Sequence, residues 1–167
     1  ELVTKAIVGY IQKNYPPERP VVICYDTRFL VDKFAQRAAE VINQYGLNVK
    51  FADRDAPTPV AAFSAMKLYS AGALMFTASH NPPEYCGIKY IPHYAGPATK
   101  DITDIIVDNV GKLQQGDDSF LVSLGTKGVT ELFDPKPDYL QELRRLIDLE
   151  VIRKNPFKIV YDPLYSP

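Results

Sequence analysis

The chain has 167 residues, 46% of them hydrophobic and 23% charged, so it is long enough for one globular domain and part of a second. Its 19 basic and 20 acidic side chains nearly cancel, which leaves no net field that would attract nucleic acid or an anionic membrane surface. No apolar run approaches the roughly 20 residues of a membrane span, and the first residues lack a signal-peptide pattern, so we expect a cytoplasmic protein. The two cysteines, Cys24 and Cys86, have neither CxxC spacing nor neighbouring histidines, which favours neither a disulfide framework nor a zinc site.

Helical and strand patterns alternate along most of the chain. The predicted elements are, in order, a helix carrying Leu2, Ala6, Ile7, Tyr10 and Ile11, a buried strand at Val21–Tyr25, a helix from Phe34 to Tyr45, a strand at Asn48–Ala52, a helix at Val60–Tyr69, a strand at Ala73–Phe76, a strand at Gly87–Ile91, and a helix carrying Ile102, Ile105, Ile106, Val110 and Leu113. Alternation with short connections predicts an α/β fold, a three-layer α/β/α sandwich with a mostly parallel, mixed sheet.

The last part of the chain has a different character. Periodicity fades between residues 114 and 137, which we interpret as an interdomain connection. A strong helix is predicted at Asp138–Lys154, followed by a strand at Phe157–Tyr161 that has no partner. An opening helix without a strand before it and a closing strand without a partner predict a fragment of a longer protein.

Polar residues follow the apolar run that ends at Phe76. The stretch from Thr77 to Pro83 contains Ser79, and strand ends in α/β proteins are where loops expose reactive side chains to substrate. Ser79 is therefore the leading candidate nucleophile. His80 is adjacent in sequence, but neighbouring side chains of an extended chain point apart, and no GxSxG elbow is present, which disfavours a hydrolase triad. The alternative is that Ser79 or Asn81 only closes a turn beside proline.

Two cations are candidates for the same edge of the sheet. Arg28 follows the first strand, and Asp26 could hold its guanidinium so that its planar fork binds a phosphate. The alternative is a purely structural Asp26–Arg28 pair. Lys89 could return to the cleft of Ser79 if the intervening loop folds back as a hairpin, although a strand lysine is usually just solvated.

Other polar residues are interpreted as surface features. His93 has no candidate partner and fits a surface loop. Asp101, Asp104 and Asp108 share one helix face, which is more often solvated, whereas a divalent cation needs carboxylates that converge from a tight loop. The sequence therefore encodes no complete metal site.

The stretch from Thr77 to Tyr85, followed by Gly87-Ile88-Lys89, closely resembles the phosphoserine loop of the α-D-phosphohexomutases, the phosphoglucomutase/phosphomannomutase family. Tyr25-Asp26-Thr27-Arg28 resembles the first-domain arginine motif of that family, and Pro57-Thr58-Pro59 resembles its Thr-Pro turn. The resemblance covers nearly the whole chain. Thr77 favours the glucose and mannose branch over the glucosamine-phosphate branch, whose motif commonly begins with serine.

The resemblance implies two pieces of a four-domain enzyme. Residues 1–133 resemble domain I, with the phosphoserine loop at 77–89 and with the N-terminal strand and loop missing. Residues 134–167 resemble the helix and strand that begin domain II, truncated. By this resemblance the remaining partners are domains II to IV of the same chain and a hexose phosphate substrate, and the fragment alone is expected to be inactive.

The family's chemistry implies a role for each loop residue. Ser79 would carry a phosphoryl group and exchange it between O1 and O6 of a glucose or mannose phosphate through a bisphosphate intermediate. Its phosphate would ligate Mg²⁺, whose other ligands lie outside this chain, and glucose 1,6-bisphosphate would act as activator and intermediate. His80 and Lys89 match positions implicated in acid–base and phosphate handling, and Arg28 and Asn81 match phosphate-binding positions.

Departures from the family pattern leave the serine and the arginine intact. Cys86 stands where an asparagine is usual, Cys24 replaces a common glycine, and Val31 stands where serine is frequent. The alternative function is a non-catalytic sugar-phosphate-binding or regulatory module in which Ser79 caps a turn or acts as a phosphorylation switch.

Overall fold

The computed structural model describes residues 1–155, 158–164 and 166–167. The helices are α1 (Leu2–Asn14), α2 (Val31–Gln44), α3 (Thr58–Lys67), α4 (Lys100–Gln114), α5 (Lys136–Leu146) and α6 (Leu149–Lys154), and the strands are β1 (Val21–Tyr25), β2 (Val49–Ala52), β3 (Gly72–Phe76), β4 (Ile88–Pro92) and β5 (Thr130–Phe133). None of the described helices is both long and apolar enough to cross a membrane.

The strands form one mixed sheet in the order β4-β3-β1-β2-β5. β1 is parallel to both β2 and β3, β2 is parallel to β5, and β4 returns antiparallel to β3. Tyr25 pairs with Phe76 in the β1–β3 ladder, so the residues that follow these two strands leave the sheet side by side at one edge. The mixed sheet confirms the predicted fold class.

Alternating side chains of the strands build a core on each face of the sheet. Val21 and Ile23 pack into a large cluster with residues of α1, α2 and α4. Val22 and Cys24, which point the other way, pack with Ala61 and Ala65 of α3 in a smaller cluster. Because both faces are covered, β1 is apolar at every position, which explains why its sequence reads as a continuous buried run.

Three features of the C-terminal part differ from the sequence prediction. β5 lies within the predicted interdomain connection and joins the edge of the sheet. This strand has only four residues, and most of them are exposed, so its sequence has no recognisable strand pattern. The predicted helix at Asp138–Lys154 is broken between α5 and α6, because the Asp148 side chain caps α6 by accepting hydrogen bonds from the amides of Glu150 and Val151. For the predicted strand at Phe157–Tyr161, Phe157 lies outside the described residues, and residues 158–161 are not in a strand.

Leu30, at the start of α2, has a backbone conformation that is unfavourable for leucine. This residue precedes the helix with φ 60°, in the left-handed region, and its side chain is 45% exposed. A leucine pays about 1–2 kcal/mol for that conformation, whereas glycine adopts it freely but loses more entropy on folding. We predict that Leu30→Gly raises the free energy of unfolding by about 0.5–1 kcal/mol in urea denaturation.

The matched control is Met66→Gly in α3, where the replaced side chain is 53% exposed but the backbone is helical. This variant should lose about 1 kcal/mol, because glycine is a poor helix former. Equal destabilisation by both substitutions would contradict the strain assigned to Leu30.

Candidate active site

Ser79 lies in a loop whose two ends are hydrogen-bonded to each other. The Thr77 amide donates to the Gly87 carbonyl at 3.0 Å, and the Gly87 amide donates back to the Thr77 carbonyl at 3.1 Å. This pair continues the antiparallel ladder of β3 and β4, so the hairpin expected between Ser79 and Lys89 is present. Residues 78–86 are thereby closed into a compact loop at the carboxyl end of β3.

The backbone of Ser79 is left-handed, with φ 59°. Its amide donates to the Thr77 hydroxyl oxygen at 3.0 Å, and Thr77 is only 6% exposed. A threonine oxygen that accepts from the amide two residues later is a known way to close a tight turn. The turn is therefore closed by Thr77, which leaves the Ser79 hydroxyl for other contacts.

The Ser79 hydroxyl contacts the next side chain. Its Oγ lies 3.2 Å from Nδ1 of His80, within hydrogen-bonding distance. The expectation that these neighbouring side chains point apart is wrong here, because it assumed extended backbone and Ser79 is left-handed. The imidazole can therefore exchange a proton with the serine hydroxyl.

Arg28 reaches across from the end of β1 and binds the loop. Its Nε donates to Asp26 Oδ2 at 3.1 Å, and the backbone amide of Arg28 donates to Asp26 Oδ1 at 3.1 Å. Nη2 donates to the carbonyls of Ser79 (2.8 Å) and Asn81 (2.9 Å), and Nη1 donates to those of Pro82 (2.7 Å) and Tyr85 (3.1 Å). The guanidinium thus contacts Asp26 and four loop carbonyls.

A cavity of about 450 Å³ opens beside this cluster. It is lined by Asp26, Thr27, Arg28, Phe29, Ser79, Asn81, Pro83, Leu164, Ser166 and Pro167. Phe29 is 83% exposed at its rim, an aromatic position that the sequence analysis did not single out. The structure therefore brings together Ser79, Arg28 and Asn81 around one opening.

Lys89 occupies a different position. It sits on β4 opposite Met75 of β3, whose side chain belongs to the core on the α3 face. There Lys89 lines a second cavity, of about 580 Å³, together with Thr58 and Pro59 at the start of α3. The structure places Lys89 outside the cavity that holds Ser79, and its predicted role stays a prediction.

The remaining polar candidates have local partners. Nδ1 of His93 lies 3.0 Å from the Tyr15 hydroxyl, so the expectation that His93 lacks a partner is wrong; Tyr15 is 78 residues away in sequence. Asp108 pairs with Lys112 at 2.8 Å on the surface of α4, as a solvated face would. Within the described part of the chain, no three His, Cys, Asp or Glu side chains are grouped so that they could hold a metal ion.

The two thiols have different surroundings. Cys24 is fully buried in β1, and this burial raises the pKa of its thiol to about 12. Cys86 is exposed in the loop, although partial burial and the nearby Asp26 carboxylate still raise the pKa of its thiol above the usual value. Of the two thiols, that of Cys86 is therefore the one accessible to reagents in the folded chain.

The turn closure by Thr77 can be tested with a substitution that keeps the side-chain volume. Thr77→Val keeps the volume but removes the oxygen that accepts from the Ser79 amide, so we predict a loss of about 1–2 kcal/mol in the free energy of unfolding. Thr77→Ser retains the oxygen and should lose less. The measurement is urea denaturation of both variants, and an unchanged midpoint for Thr77→Val would contradict the proposed turn closure.

Thiol labelling tests the contrast between the cysteines. Iodoacetamide at pH 8 should modify Cys86 alone in the native chain and both cysteines after unfolding, as counted by mass spectrometry. Because the pKa of Cys86 is raised, its rate should keep increasing between pH 8 and 9, where the thiolate fraction still grows. Rapid native labelling of Cys24 would contradict the packing of β1.

Comparison with known proteins places the chain in a family. Residues 1–117 match the family model for "Phosphoglucomutase/phosphomannomutase, alpha/beta/alpha domain I". The phosphoglucomutase of Komagataeibacter xylinus is 31% identical over 175 aligned positions, which cover 97% of this chain and 31% of that protein. The phosphoglucomutase of Staphylococcus aureus (strain MRSA252) is 29% identical, covering 93% of this chain and 28% of that protein.

A solved structure agrees with these relatives. A protein of Thermus thermophilus that is assigned as a phosphomannomutase superimposes with a TM-score of 0.75 at 27% identity, covering 90% of this chain and 32% of that chain. The chain thus spans about a third of the length of the relatives it matches. Because the family model covers more than half of the residues, the chain belongs to the phosphoglucomutase/phosphomannomutase family.

Proposed function

We propose that Ser79 is the phosphoryl carrier of a phosphohexomutase. It would exchange a phosphoryl group between O1 and O6 of a glucose or mannose phosphate through a bisphosphate intermediate. The observation that carries this proposal is the left-handed Ser79 on a closed loop, with its hydroxyl directed to His80 and not used to close the turn. Phosphoryl transfer depends on positioning and positive charge more than on a strong base, which suits a serine without a hydrolase triad.

The proposed transfer consists of two mirror-image steps. A sugar hydroxyl attacks the phosphorus of phosphoserine and gives up its proton to solvent, the bond between phosphorus and Ser79 Oγ breaks, and Oγ takes a proton from His80 to become a hydroxyl. His80, whose Nδ1 lies 3.2 Å from Ser79 Oγ, is the proposed proton carrier of the loop. In the second step the Ser79 hydroxyl attacks the other phosphate of the bisphosphate and gives its proton back to His80, the bond between that phosphorus and the sugar oxygen breaks, and the sugar oxygen takes a proton from solvent.

Asn81, Arg28 and Lys89 are proposed to assist the phosphoryl transfer. Asn81 lines the opening beside Ser79 and is proposed to bind phosphate. Arg28 adds a positive charge next to the transferring group, although its N–H groups already contact the loop. Lys89, in the cavity on the α3 face, is proposed to act in phosphate handling or proton transfer.

The chain supplies part of the proposed Mg²⁺ site. Phosphorylated Ser79 would contribute a phosphate oxygen, and the remaining ligands are proposed to come from outside this chain. The described residues hold no group of three His, Cys, Asp or Glu side chains that could bind a metal ion. Bound Mg²⁺ would neutralise charge on the phosphoryl group. Glucose 1,6-bisphosphate is the proposed activator and intermediate, domains II to IV are the proposed partners, and this chain alone is expected to be inactive.

The alternative, a non-catalytic sugar-phosphate-binding or regulatory module, predicts that Ser79 caps its turn or is a phosphorylation switch. The structure assigns turn closure to the Thr77 oxygen, and the Ser79 hydroxyl contacts an imidazole. This arrangement supports the carrier over the cap. A loop of the form Asp-x-Asp-x-Asp elsewhere in the whole protein would supply the metal ligands that the carrier needs.

Activity of the whole protein that carries this sequence tests the proposal. In a coupled assay with glucose 1-phosphate or mannose 1-phosphate and catalytic bisphosphate, Ser79→Ala should lower kcat by roughly 10³-fold or more, because the carrier oxygen is lost. Ser119→Ala, which removes an exposed hydroxyl outside the loop, should stay within about two-fold of the unmodified protein. Full activity of Ser79→Ala would refute the carrier role.

A further inference from the structure

We propose that Arg28 is a positioning residue that fixes the orientation of Ser79 by holding the carbonyl groups of the loop. The structural part of this inference stands on the hydrogen bonds alone, and its catalytic consequence rests on the proposed function. It replaces the direct phosphate contact that the sequence predicts for this arginine.

The hydrogen bonds of Arg28 use the whole guanidinium. An arginine side chain has five N–H donors in a fixed fork. Nε donates to Asp26, and the two Nη atoms make four bonds to loop carbonyls, including that of Ser79 itself at 2.8 Å. The side chain is only 11% exposed. A phosphate could be bound directly only if one of these bonds were given up.

The arginine is itself anchored to the sheet. Both carboxylate oxygens of Asp26 hold Arg28, one through Nε and the other through the backbone amide. The Asp26 amide donates to the Phe76 carbonyl at 3.1 Å, at the end of the β1–β3 ladder. The loop is therefore tied to a rigid edge of the sheet through Phe76, Asp26 and Arg28.

The carbonyl of Ser79 makes this contact relevant to catalysis. Ser79 has left-handed backbone, and its hydroxyl direction depends on that conformation. The guanidinium binds the carbonyls of Ser79 and Asn81 with one nitrogen, so the peptide groups around Ser79 are fixed together. Loss of this contact would let the loop turn away while the sheet remains intact, and a misplacement of about 1 Å can cost about 10²-fold in rate.

Lysine cannot make the same set of contacts. An ammonium group carries one compact charge and three donors, whereas the bonds of Arg28 extend over a planar fork to five separate oxygens. Charge alone would survive in Arg28→Lys, but the loop geometry would not. This difference separates positioning from simple electrostatic attraction of a phosphate.

The experiment combines two readouts on the whole protein. Hydrogen exchange followed by mass spectrometry should show peptides of residues 77–87 exchanging at least about ten-fold faster in Arg28→Gln, with β1 peptides unchanged. With hexose 1-phosphates, kcat should fall about 10²-fold and KM should change less than about three-fold, because the substrate contact is not the one removed. Arg28→Lys should resemble Arg28→Gln in both readouts.

The control is Arg145→Gln, which removes an arginine paired with Glu142 on the surface of α5 and should leave both readouts within about two-fold of the unmodified protein. Asp26→Asn should shift both readouts in the same direction as Arg28→Gln but less, and it decides the question if Arg28→Gln does not fold. Unchanged exchange, a KM increase of ten-fold or more at constant kcat, or recovery of activity by Arg28→Lys would each overturn the proposal. If the unmodified protein has no mutase activity with either sugar, the proposed function fails, whereas the exchange result still decides whether Arg28 fixes the loop.

Discussion

The contact between the Arg28 guanidinium and the carbonyls of the serine loop is the interaction on which the rest of the site depends. The loop has no helix or strand of its own between residues 78 and 86, so its peptide groups need partners from elsewhere. The two Nη atoms of Arg28 supply partners for four of its carbonyl groups. Because these carbonyls lie near the surface, water could replace most of the lost bonds, and the contact matters more for geometry than for the stability of the whole chain.

The topology of the sheet makes this contact possible. β1 and β3 are adjacent and parallel, and Tyr25 pairs with Phe76, so Asp26 and Thr77 leave the sheet next to each other. The segment that follows β1 therefore contacts the loop that follows β3, although Arg28 and Ser79 are 51 residues apart in sequence. The same parallel arrangement is why catalytic residues of α/β proteins gather at the carboxyl ends of strands.

Sequence reasoning recovered what depends on local pattern and missed what depends on distant contacts. The continuous apolar runs of β1 and β3 predicted both strands and the edge at which Ser79 and Arg28 meet. The exposed edge strand β5 gave no such pattern, and its pairing with β2 is a long-range contact. The left-handed backbone at Ser79 was also missed, and with it the contact to His80. A threonine two residues before the serine was the available signal for that tight turn.

The role of Arg28 illustrates the same limit. Its type and place suggested a phosphate ligand, because a guanidinium fork matches phosphate geometry. The fork matches peptide carbonyls equally well, and only the folded loop shows that four of them point at it. Asp26 fixes the arginine in either role, so sequence alone could not choose between them.

We propose that this loop presents Ser79 to accept and release a phosphoryl group. The most direct measurement is intact mass and peptide mapping of the whole protein before and after mixing with glucose 1-phosphate. We predict one phosphoryl group per chain, located on Ser79, that is lost when the sugar phosphate is added. A phosphate that is absent from Ser79 after treatment with glucose 1,6-bisphosphate, or that stays on Ser79 in the presence of both glucose 1-phosphate and mannose 1-phosphate, would contradict the account.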